Sequence, residues 1–301
     1  MIFNNQPSIK KIIKGIRSET FYSQKKILSK QTIEKVYKEL DLWKPNFNKN
    51  DILPTKTFNG WYHSMAMAKS KTVYDIITSK LILGVCRNYF GGNFRLKAHR
   101  VYSIYSGAKM PWHSDDKMGA KKHSYNGLIF IFYLKDVLKG QFQAIKDSEK
   151  FSKEFPNPKI DETIINTKYK DKIVDFIMPA GSMVVYNDKT IHRAKPYFDP
   201  FWHRTSLFIQ IDKNLSNSEK IILNPSFVQN FDEEKKIFFG FGKKNDLPHE
   251  PVVSGLYTLS FIELIILIFK SFYNLIIKKP YYLFRRNNLL IKLFKIFFKN
   301  D

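Results

Sequence analysis

The sequence has a single cysteine, Cys86, among its 301 residues. One cysteine excludes a disulfide framework within the chain and any zinc or iron–sulfur site built from several cysteines. The opening segment, residues 1–15, also lacks an apolar stretch of the length found in signal peptides. We therefore expect a cytoplasmic protein.

Acidic residues are scarce, because 27 Asp and Glu stand against 50 Lys and Arg, a formal net charge of +23. A basic excess of this size fits three kinds of partner: nucleic acid, an anionic membrane surface or an anionic small substrate. The excess is densest at the two ends of the chain, and residues 255–301 carry eight Lys or Arg against two acidic residues.

Hydrophobic patterning divides the chain into three parts. Residues 1–92 are predicted to form an N-terminal helical region that packs on the core, with helices at Gln31–Leu42 and Thr72–Phe90. Residues 93–254 contain short β-rich runs separated by turn signals. Since helical periodicity between these runs is scarce, an antiparallel sandwich or barrel is favoured over parallel βαβ units.

Residues 255–301 are predicted to form a basic, apolar helical tail. The stretch Tyr257–Ile277 has the length of a membrane-spanning helix, but Glu263 and Lys270 interrupt it and disfavour spanning. Two alternatives stay open. Either an amphipathic helical pair lies on an anionic membrane, making the protein peripheral at the inner face, or the pair packs on the protein body or forms a dimer.

The residues with the clearest chemistry are His113, Asp115 and His192. His113 and Asp115 are two residues apart, so on an extended strand their side chains would point to one face. Together with a distant histidine they would form the two-histidine, one-carboxylate set that holds non-haem Fe(II) and leaves three positions open. The alternative is structural, with both histidines at polar core positions and Asp115 in a turn.

Arg204 lies twelve residues after His192, near the start of the next β-rich run. If the metal is Fe(II), a cosubstrate must supply electrons and occupy two of the open positions, and 2-oxoglutarate does both. Its distal carboxylate needs a buried planar cation, for which arginine offers a bidentate fork that lysine lacks. Arg204 is placed for that role. Tyr105 either hydrogen-bonds the cosubstrate or packs in a strand core.

In these motifs the sequence resembles the Fe(II)/2-oxoglutarate-dependent dioxygenases, in particular their phytanoyl-CoA-hydroxylase-like and prolyl-hydroxylase-like branches. The resemblance runs from about Arg100 to Asp212. It is carried by Tyr105-x-Gly107 ahead of Pro111–Asp115, by Phe132–Asp136 followed by Gly140-Gln141-Phe142, by Met178–Tyr186 leading to His192-Arg193, and by Arg204–Leu207.

The resemblance implies a mainly β fold with flanking helices and a double-stranded β-helix (jelly-roll) core. It implies an oxidoreductase in which His113, Asp115 and His192 bind Fe(II) and catalyse, and in which Arg204 binds the cosubstrate 2-oxoglutarate. Such an enzyme would hydroxylate its substrate and release succinate and CO2. The turn Lys146–Glu149 departs from the Pro-Gly-Ser-His of the phytanoyl branch, so the substrate, a small molecule or an anionic one, stays open.

The residues around the proposed site bear on which partner the protein binds. Nucleic-acid demethylases of this superfamily have a second arginine six residues after the first, where this chain has Gln210, so nucleic acid is disfavoured. A rival hypothesis keeps the jelly roll without catalysis, as a binding protein on an anionic membrane or nucleic acid. We interpret His99 and His123 as surface or ordinary hydrogen-bonding residues, with contact to the substrate as the alternative. Arg193 and His203 are interpreted as rim groups, and Trp112 as a pocket wall or a packing residue.

Overall fold

The computed structural model describes most of the first 253 residues and a few residues beyond them. The described residues are 2–40, 42, 54–57, 60–63, 66–105, 110–117, 126–157, 159–199, 201–213, 218, 221–228, 232–241, 252–253, 265, 268, 269, 272, 273 and 276. Met1–Val253 form one compact unit and Ser254–Asp301 a second.

Seven α-helices lie in the described part of the first unit. The helix predicted at Gln31–Leu42 is present, whereas the helix predicted at Thr72–Phe90 is two helices, because the Ser79 hydroxyl accepts from the Ile82 amide and starts a new one. The helices are α1 Ile9–Glu19, α2 Lys30–Leu40, α3 Ala66–Lys69, α4 Lys71–Ile77, α5 Lys80–Phe90, α6 Glu162–Lys168 and α7 Glu233–Phe239.

Two antiparallel sheets form the body of this unit. Their strands are β1 Phe21–Gln24, β2 Pro54–Thr57, β3 Gly60–His63, β4 Arg95–Tyr105, β5 Met110–His113, β6 Gly127–Tyr133, β7 Phe142–Ile145, β8 Lys159–Ile160, β9 Ile173–Asp175, β10 Met183–Asn187, β11 His192–Ala194 and β12 His203–Asp212. The large sheet has the order β1-β10-β6-β12-β4-β3-β2 and the small sheet β8-β5-β11-β7-β9. Two short strands, β13 Ile222–Leu223 and β14 Val252–Val253, pair in parallel.

The large sheet is covered on both faces, as its interior strand β6 shows. Every residue of β6 is buried. Leu128, Phe130 and Phe132 belong to one hydrophobic core with residues of the N-terminal helices, such as Ile12 and Ile16 of α1. The alternate residues Ile129, Ile131 and Tyr133 face the small sheet and pack with Phe142 of β7. This two-sheet arrangement with helices on the outside confirms the predicted mainly β fold with a jelly-roll core.

The turn before β10 fixes the strand that leads towards His192. Gly181 has φ +83°, and a Cβ there would lie 2.6 Å from the Leu28 carbonyl oxygen. Only glycine fits both the left-handed backbone and this close approach. The Gly181 carbonyl in turn accepts from the Leu28 amide at 2.9 Å, which joins the turn to the segment between β1 and α2.

The second unit is described only in part. Ile265, Ile268, Phe269, Phe272, Tyr273 and Ile276 are in helical conformation, and the rest of the predicted tail lies outside the described residues. No helix among the residues that the structure describes is long and apolar enough to span a membrane.

Candidate active site

The three residues predicted as metal ligands lie together between the sheets. β5 and β11 pair antiparallel with His113 directly opposite His192, and the centres of the two imidazole rings are 4.2 Å apart. One nitrogen of each histidine and one carboxylate oxygen of Asp115 lie within 4.8 Å of one another. His113 and His192 are 79 residues apart in the sequence, and the pairing of β5 with β11 brings them together.

Asp115 reaches this cluster from a turn, so the prediction that it shares a strand with His113 is wrong. β5 ends at His113, and Asp115–Lys117 form a turn of 3-10 helix. One carboxylate oxygen of Asp115 lies 3.7 Å from His113 Nε2 and the other lies 3.8 Å from His192 Nε2. The carboxylate therefore faces both histidines because the chain bends after β5, not because of strand alternation.

Both imidazoles are held in the same way. The Nδ1–H of His113 donates to the Pro111 carbonyl at 2.8 Å, and that of His192 donates to the Thr190 carbonyl at 2.9 Å. This fixes the tautomer that leaves the Nε2 lone pair directed at the cluster, as metal ligation requires. His113 Nε2 is buried and has no hydrogen-bond partner among the residues that the structure describes. Burial, and next the neighbouring His113, lowers the pKa of His192 to about 4, so this ring is neutral at pH 7.

A tyrosine that the sequence reasoning missed contacts two members of the cluster. The hydroxyl of Tyr186, on β10, donates to an Asp115 carboxylate oxygen at 3.3 Å and lies 3.5 Å from His192 Nε2. Its ring packs against His192 and Phe142, with centroid distances of 4.8 and 5.1 Å. Burial, and next the Asp115 charge, raises the pKa of Tyr186, so the phenol keeps its proton and stays a donor.

Arg204 lies on the second residue of β12, on the strand face directed between the sheets. It is buried, and its Nη1 donates to the Gly140 carbonyl at 2.7 Å. Its Nε has no hydrogen-bond partner among the described residues. Phe208, four residues on and therefore on the same face, packs in the cluster between the sheets that contains Tyr186. Arg204 is thus a buried cation with unused donor capacity on the face of the large sheet that is directed at the small sheet, which carries the two histidines of the metal cluster.

Two hydroxyl groups beside Arg204 are also buried and unpartnered. Ser206 shares the Arg204 face of β12 and is directly opposite Tyr133 in the pairing with β6. Neither Ser206 Oγ nor the Tyr133 hydroxyl has a hydrogen-bond partner among the described residues. Burial raises the pKa of Tyr133, with Arg204 opposing the shift, so this phenol is a donor. Three polar groups therefore converge where a bound carboxylate would satisfy them.

Arg193, predicted at the rim of the site, lies instead on the opposite face of β11. Its Nε donates to Gln143 at 2.6 Å and its Nη1 donates to Glu162 at 2.6 Å. Its guanidinium also stacks on Trp112, 4.6 Å from the ring centroid. The rim prediction failed because β8 and α6, in the segment between β7 and β9, cover this outer face. Trp112 packs there too, with Ile145 and Ile160, and does not line the candidate site.

Of the remaining predicted residues, the structure describes the side chains of two and leaves those of the other two outside the described residues. His99 is buried on the helical side of β4, where its Nε2 accepts from the Met67 amide at 3.3 Å, an ordinary structural role. His203 is partly buried with the Lys135 ammonium 3.1 Å from its Nε2. Tyr105 ends β4 opposite His203, but its side chain, like all of His123, lies outside the described residues.

One protein family matches more than half of the chain. The family described as phytanoyl-CoA dioxygenase (PhyH) matches residues 24–198, a span that contains His113, Asp115 and His192. No curated protein matches the sequence.

Solved structures share the architecture at low sequence identity. EctD from S. alaskensis, solved with 2-oxoglutarate and 5-hydroxyectoine, is 15% identical with a TM-score of 0.55, over 69% of this chain and 77% of its own. HygX from Streptomyces hygroscopicus, solved with nickel, 2-oxoglutarate and hygromycin B, is 13% identical with a TM-score of 0.53, over 76% of this chain and 99% of its own. The epimerase SnoN, solved with Fe3+, alpha ketoglutarate and nogalamycin RO, is 15% identical with a TM-score of 0.51, over 68% and 83%. At these sequence identities the structural similarity shows that this chain shares their fold.

Proposed function

The chain belongs to the phytanoyl-CoA dioxygenase (PhyH) family, and we propose that it hydroxylates a small organic substrate at the His113–Asp115–His192 cluster. As a member of this family it is an Fe(II)- and 2-oxoglutarate-dependent oxygenase, an oxidoreductase. The proposal concerns which residues perform each task and what kind of substrate they act on.

We assign the iron to His113, Asp115 and His192. The observation that carries this assignment is their convergence within 4.8 Å, with both Nε2 lone pairs directed inwards by backbone hydrogen bonds. Two imidazoles and one carboxylate are the donor set that suits Fe(II) with open coordination positions. The buried, unpartnered Nε2 of His113 fits the metal because ligation would satisfy it.

We assign the distal carboxylate of 2-oxoglutarate to Arg204, Ser206 and Tyr133. A carboxylate between them would accept from the Arg204 guanidinium and from two hydroxyls that have no partner among the described residues. Leaving such groups without hydrogen bonds costs about 1–3 kcal/mol each. A bound carboxylate would remove this cost by accepting from all of them. The Gly140 carbonyl holds the guanidinium by its Nη1 and orients its remaining donors. Tyr105 stays a prediction for this pocket.

When bound, Fe(II) and 2-oxoglutarate would supply, with O2 as the oxidant, the oxidative decarboxylation that releases succinate and CO2 and oxidises the substrate. The chain contributes orientation and the exclusion of water. Phe142 and Tyr186 pack on His192 and keep its environment apolar. Tyr186 holds Asp115 through its hydroxyl and so fixes the carboxylate relative to both histidines.

A small organic substrate is supported by the fold and by the composition. The structurally similar HygX, SnoN and EctD were solved with small organic molecules bound. The net charge of +23 favours an anionic molecule among these, since a basic surface raises its local concentration.

The location of the protein is part of the same proposal. A single buried cysteine, Cys86, suits the reducing cytoplasm. Contact of residues 255–301 with an anionic membrane is supported by their basic excess and by the exposed side chains of Ile268, Phe269, Phe272, Tyr273 and Ile276, which share a helical face.

Succinate release tests the proposed function. Purified protein with Fe(II), O2 and 2-oxoglutarate should release succinate faster when its substrate is among a set of small organic anions, and the product should gain one oxygen by mass. The matched control is Asp115→Ala, which removes one proposed ligand from a turn and should abolish both signals. Substrate-dependent succinate release that survives in Asp115→Ala would contradict the metal assignment.

A further inference from the structure

Three loops meet at the end of the sheets where β12 begins. They connect β6 to β7, β9 to β10 and β11 to β12. The Val137 and Met178 backbones pair at 2.9 Å, and the Lys195 amide donates to the Gln141 carbonyl at 3.0 Å. The loops therefore form one continuous surface, at the same end of the molecule as Arg204.

Each loop carries a strongly exposed apolar side chain to this surface. Leu138 is 70% exposed, Ile177 50%, Phe198 75% and Phe201 91%. We name these four residues the end-loop surface. In Met1–Val253 no other described large apolar side chain is more than 40% exposed, so the exposure is concentrated here. Clustered exposed apolar residues mark an interaction site, whereas single ones need no explanation.

The loops are rigid beneath the exposed side chains. Gly140 has φ +59°, and the Trp202 ring packs so closely on it that a Cβ would lie 2.4 Å from the ring. Tyr197 packs edge-on against Trp202 at 5.6 Å, and the Lys139 ammonium lies 5.2 Å from the Tyr197 ring centroid. This packing beneath the loops holds Phe198 and Phe201 outwards, so that they do not fold back onto the protein.

Two lysines flank the end-loop surface, and two acidic side chains of the same loops are hydrogen-bonded to backbone amides. Lys139 and Lys195 are exposed. Asp136 accepts from the Ala180 amide at 2.7 Å, and Asp199 accepts from the Phe201 amide at 2.9 Å, so both carboxylates serve the turns. Exposed apolar side chains beside lysines are the combination that suits the boundary between lipid headgroups and acyl chains.

We propose that the end-loop surface inserts into an anionic lipid surface, with Phe198 and Phe201 entering the acyl boundary and Lys139 and Lys195 meeting phosphates. A side chain as exposed as Phe201 does not line a groove that could take a peptide or helix. The four side chains offer roughly 500 Å² of apolar surface, below the ~800 Å² per partner of a standard protein interface. A lipid surface needs no such complementary area, and the net charge of +23 favours an anionic one.

Vesicle binding by the full chain tests the proposal. The probe is phosphatidylcholine vesicles with and without 30% phosphatidylglycerol, and the key variant is Phe198→Ser/Phe201→Ser. We expect the variant to lose about tenfold in partitioning to the anionic vesicles while 2-oxoglutarate turnover stays unchanged. The matched control is Ile164→Ser, an exposed apolar residue of α6 away from these loops, which should bind like the unmodified chain.

Tryptophan fluorescence separates the end-loop surface from the tail, because residues 255–301 contain no tryptophan. Brominated lipids should quench Trp202, which neighbours Phe201, and Trp202→Phe should remove the quenched signal. Equal vesicle binding by the double serine variant, or no quenching of Trp202, would overturn the proposal. So would a dimer that the double variant disrupts without any binding to vesicles, because the surface would then take a second copy of the chain.

Discussion

Arg193 and Arg204 are both buried arginines on consecutive strands of different sheets, β11 and β12, yet they lie in opposite environments. On the outer face of the small sheet, Arg193 uses Gln143, Glu162 and the Trp112 ring. On the face between the sheets, the Arg204 guanidinium donates to the Gly140 carbonyl. In the described part of the chain its Nε has no partner, and neither do the hydroxyls of Ser206 and Tyr133 beside it.

The difference separates a structural region from a binding region. Buried polar groups are nearly always satisfied, and the Arg193 guanidinium follows this rule through Gln143 and Glu162, although Trp112 Nε1 beside it has no hydrogen-bond partner among the described residues. Between the two sheets, by contrast, several buried groups of the described residues, from His113 Nε2 to the Tyr133 hydroxyl, have no hydrogen-bond partner. A group of unsatisfied donors and acceptors facing one space is therefore the mark of ligands that complete them.

The largest expected effect comes from His113→Ala. Loss of one ligand should remove measurable Fe(II)-dependent turnover, because the two remaining side chains no longer define the metal's geometry. Succinate formation and thermal unfolding are the measurements. The matched control is His99→Ala, on the helical side of β4, which should cost about 1–3 kcal/mol of stability and keep turnover per folded molecule. Full activity in His113→Ala would remove this histidine from the metal site.

The two arginines give the next largest effect when each is replaced by lysine. Arg204→Lys keeps the charge but loses the fork, so the KM for 2-oxoglutarate should rise about 10–100-fold with little change in stability. Arg193→Lys should do the reverse, losing about 1–2 kcal/mol of unfolding free energy with an unchanged KM. Initial rates and denaturant titration measure both. If Arg193→Lys raised the KM and Arg204→Lys did not, the two assignments would be exchanged.

A smaller effect is expected for Tyr186→Phe. The ring and its packing on Phe142 and His192 remain, but the hydrogen bond to Asp115 is lost. Because partners that orient a ligand are worth about 10–100-fold in metal affinity, Fe(II) binding should weaken by about tenfold. A competition assay with Co(II) under anaerobic conditions measures this without turnover. Unchanged affinity with a lowered melting temperature would make Tyr186 a packing residue only.

The smallest effect is expected from truncation after Gly255. Met1–Val253 form a compact unit that contains every described residue of the candidate site. The truncated chain should therefore bind Fe(II) and 2-oxoglutarate with affinities within about twofold of the full chain, as measured by titration. Loss of both affinities on truncation would show that the tail belongs to the catalytic unit.

The sequence predicts the metal ligands and Arg204, which lie between the sheets, better than the residues around them. His113, His192 and Arg204 are predictable because short β-rich runs, a Pro-Ala-Gly turn and fixed spacings place them at strand ends of an antiparallel fold. His113 and His192 are on the paired strands β5 and β11, and Arg204 is on β12 of the other sheet. Tyr186, Tyr133 and Ser206 are not, because their roles depend on strand register and on which buried atoms find partners. Both depend on contacts between distant parts of the chain.

The outer face was predicted least well, for a related reason. The segment between β7 and β9 is polar and lacks periodicity, so its folding over Trp112 and Arg193 leaves no local signal in the sequence. Asp115 illustrates a finer limit. The His-x-Asp spacing predicts its proximity to His113, but the 3-10 turn that achieves it depends on tertiary contacts such as the Asp116 amide donating to the Asp188 carbonyl at 3.0 Å.

Anaerobic titration of the full chain with 2-oxoglutarate in the presence of Fe(II), followed by visible absorption, tests whether the assigned residues bind the metal and the cosubstrate together. We expect a weak charge-transfer band that saturates at one 2-oxoglutarate per chain, is absent in His113→Ala, and needs about 10–100-fold more 2-oxoglutarate in Arg204→Lys. No band in the unmodified chain, or an equally strong band in His113→Ala, would contradict these assignments.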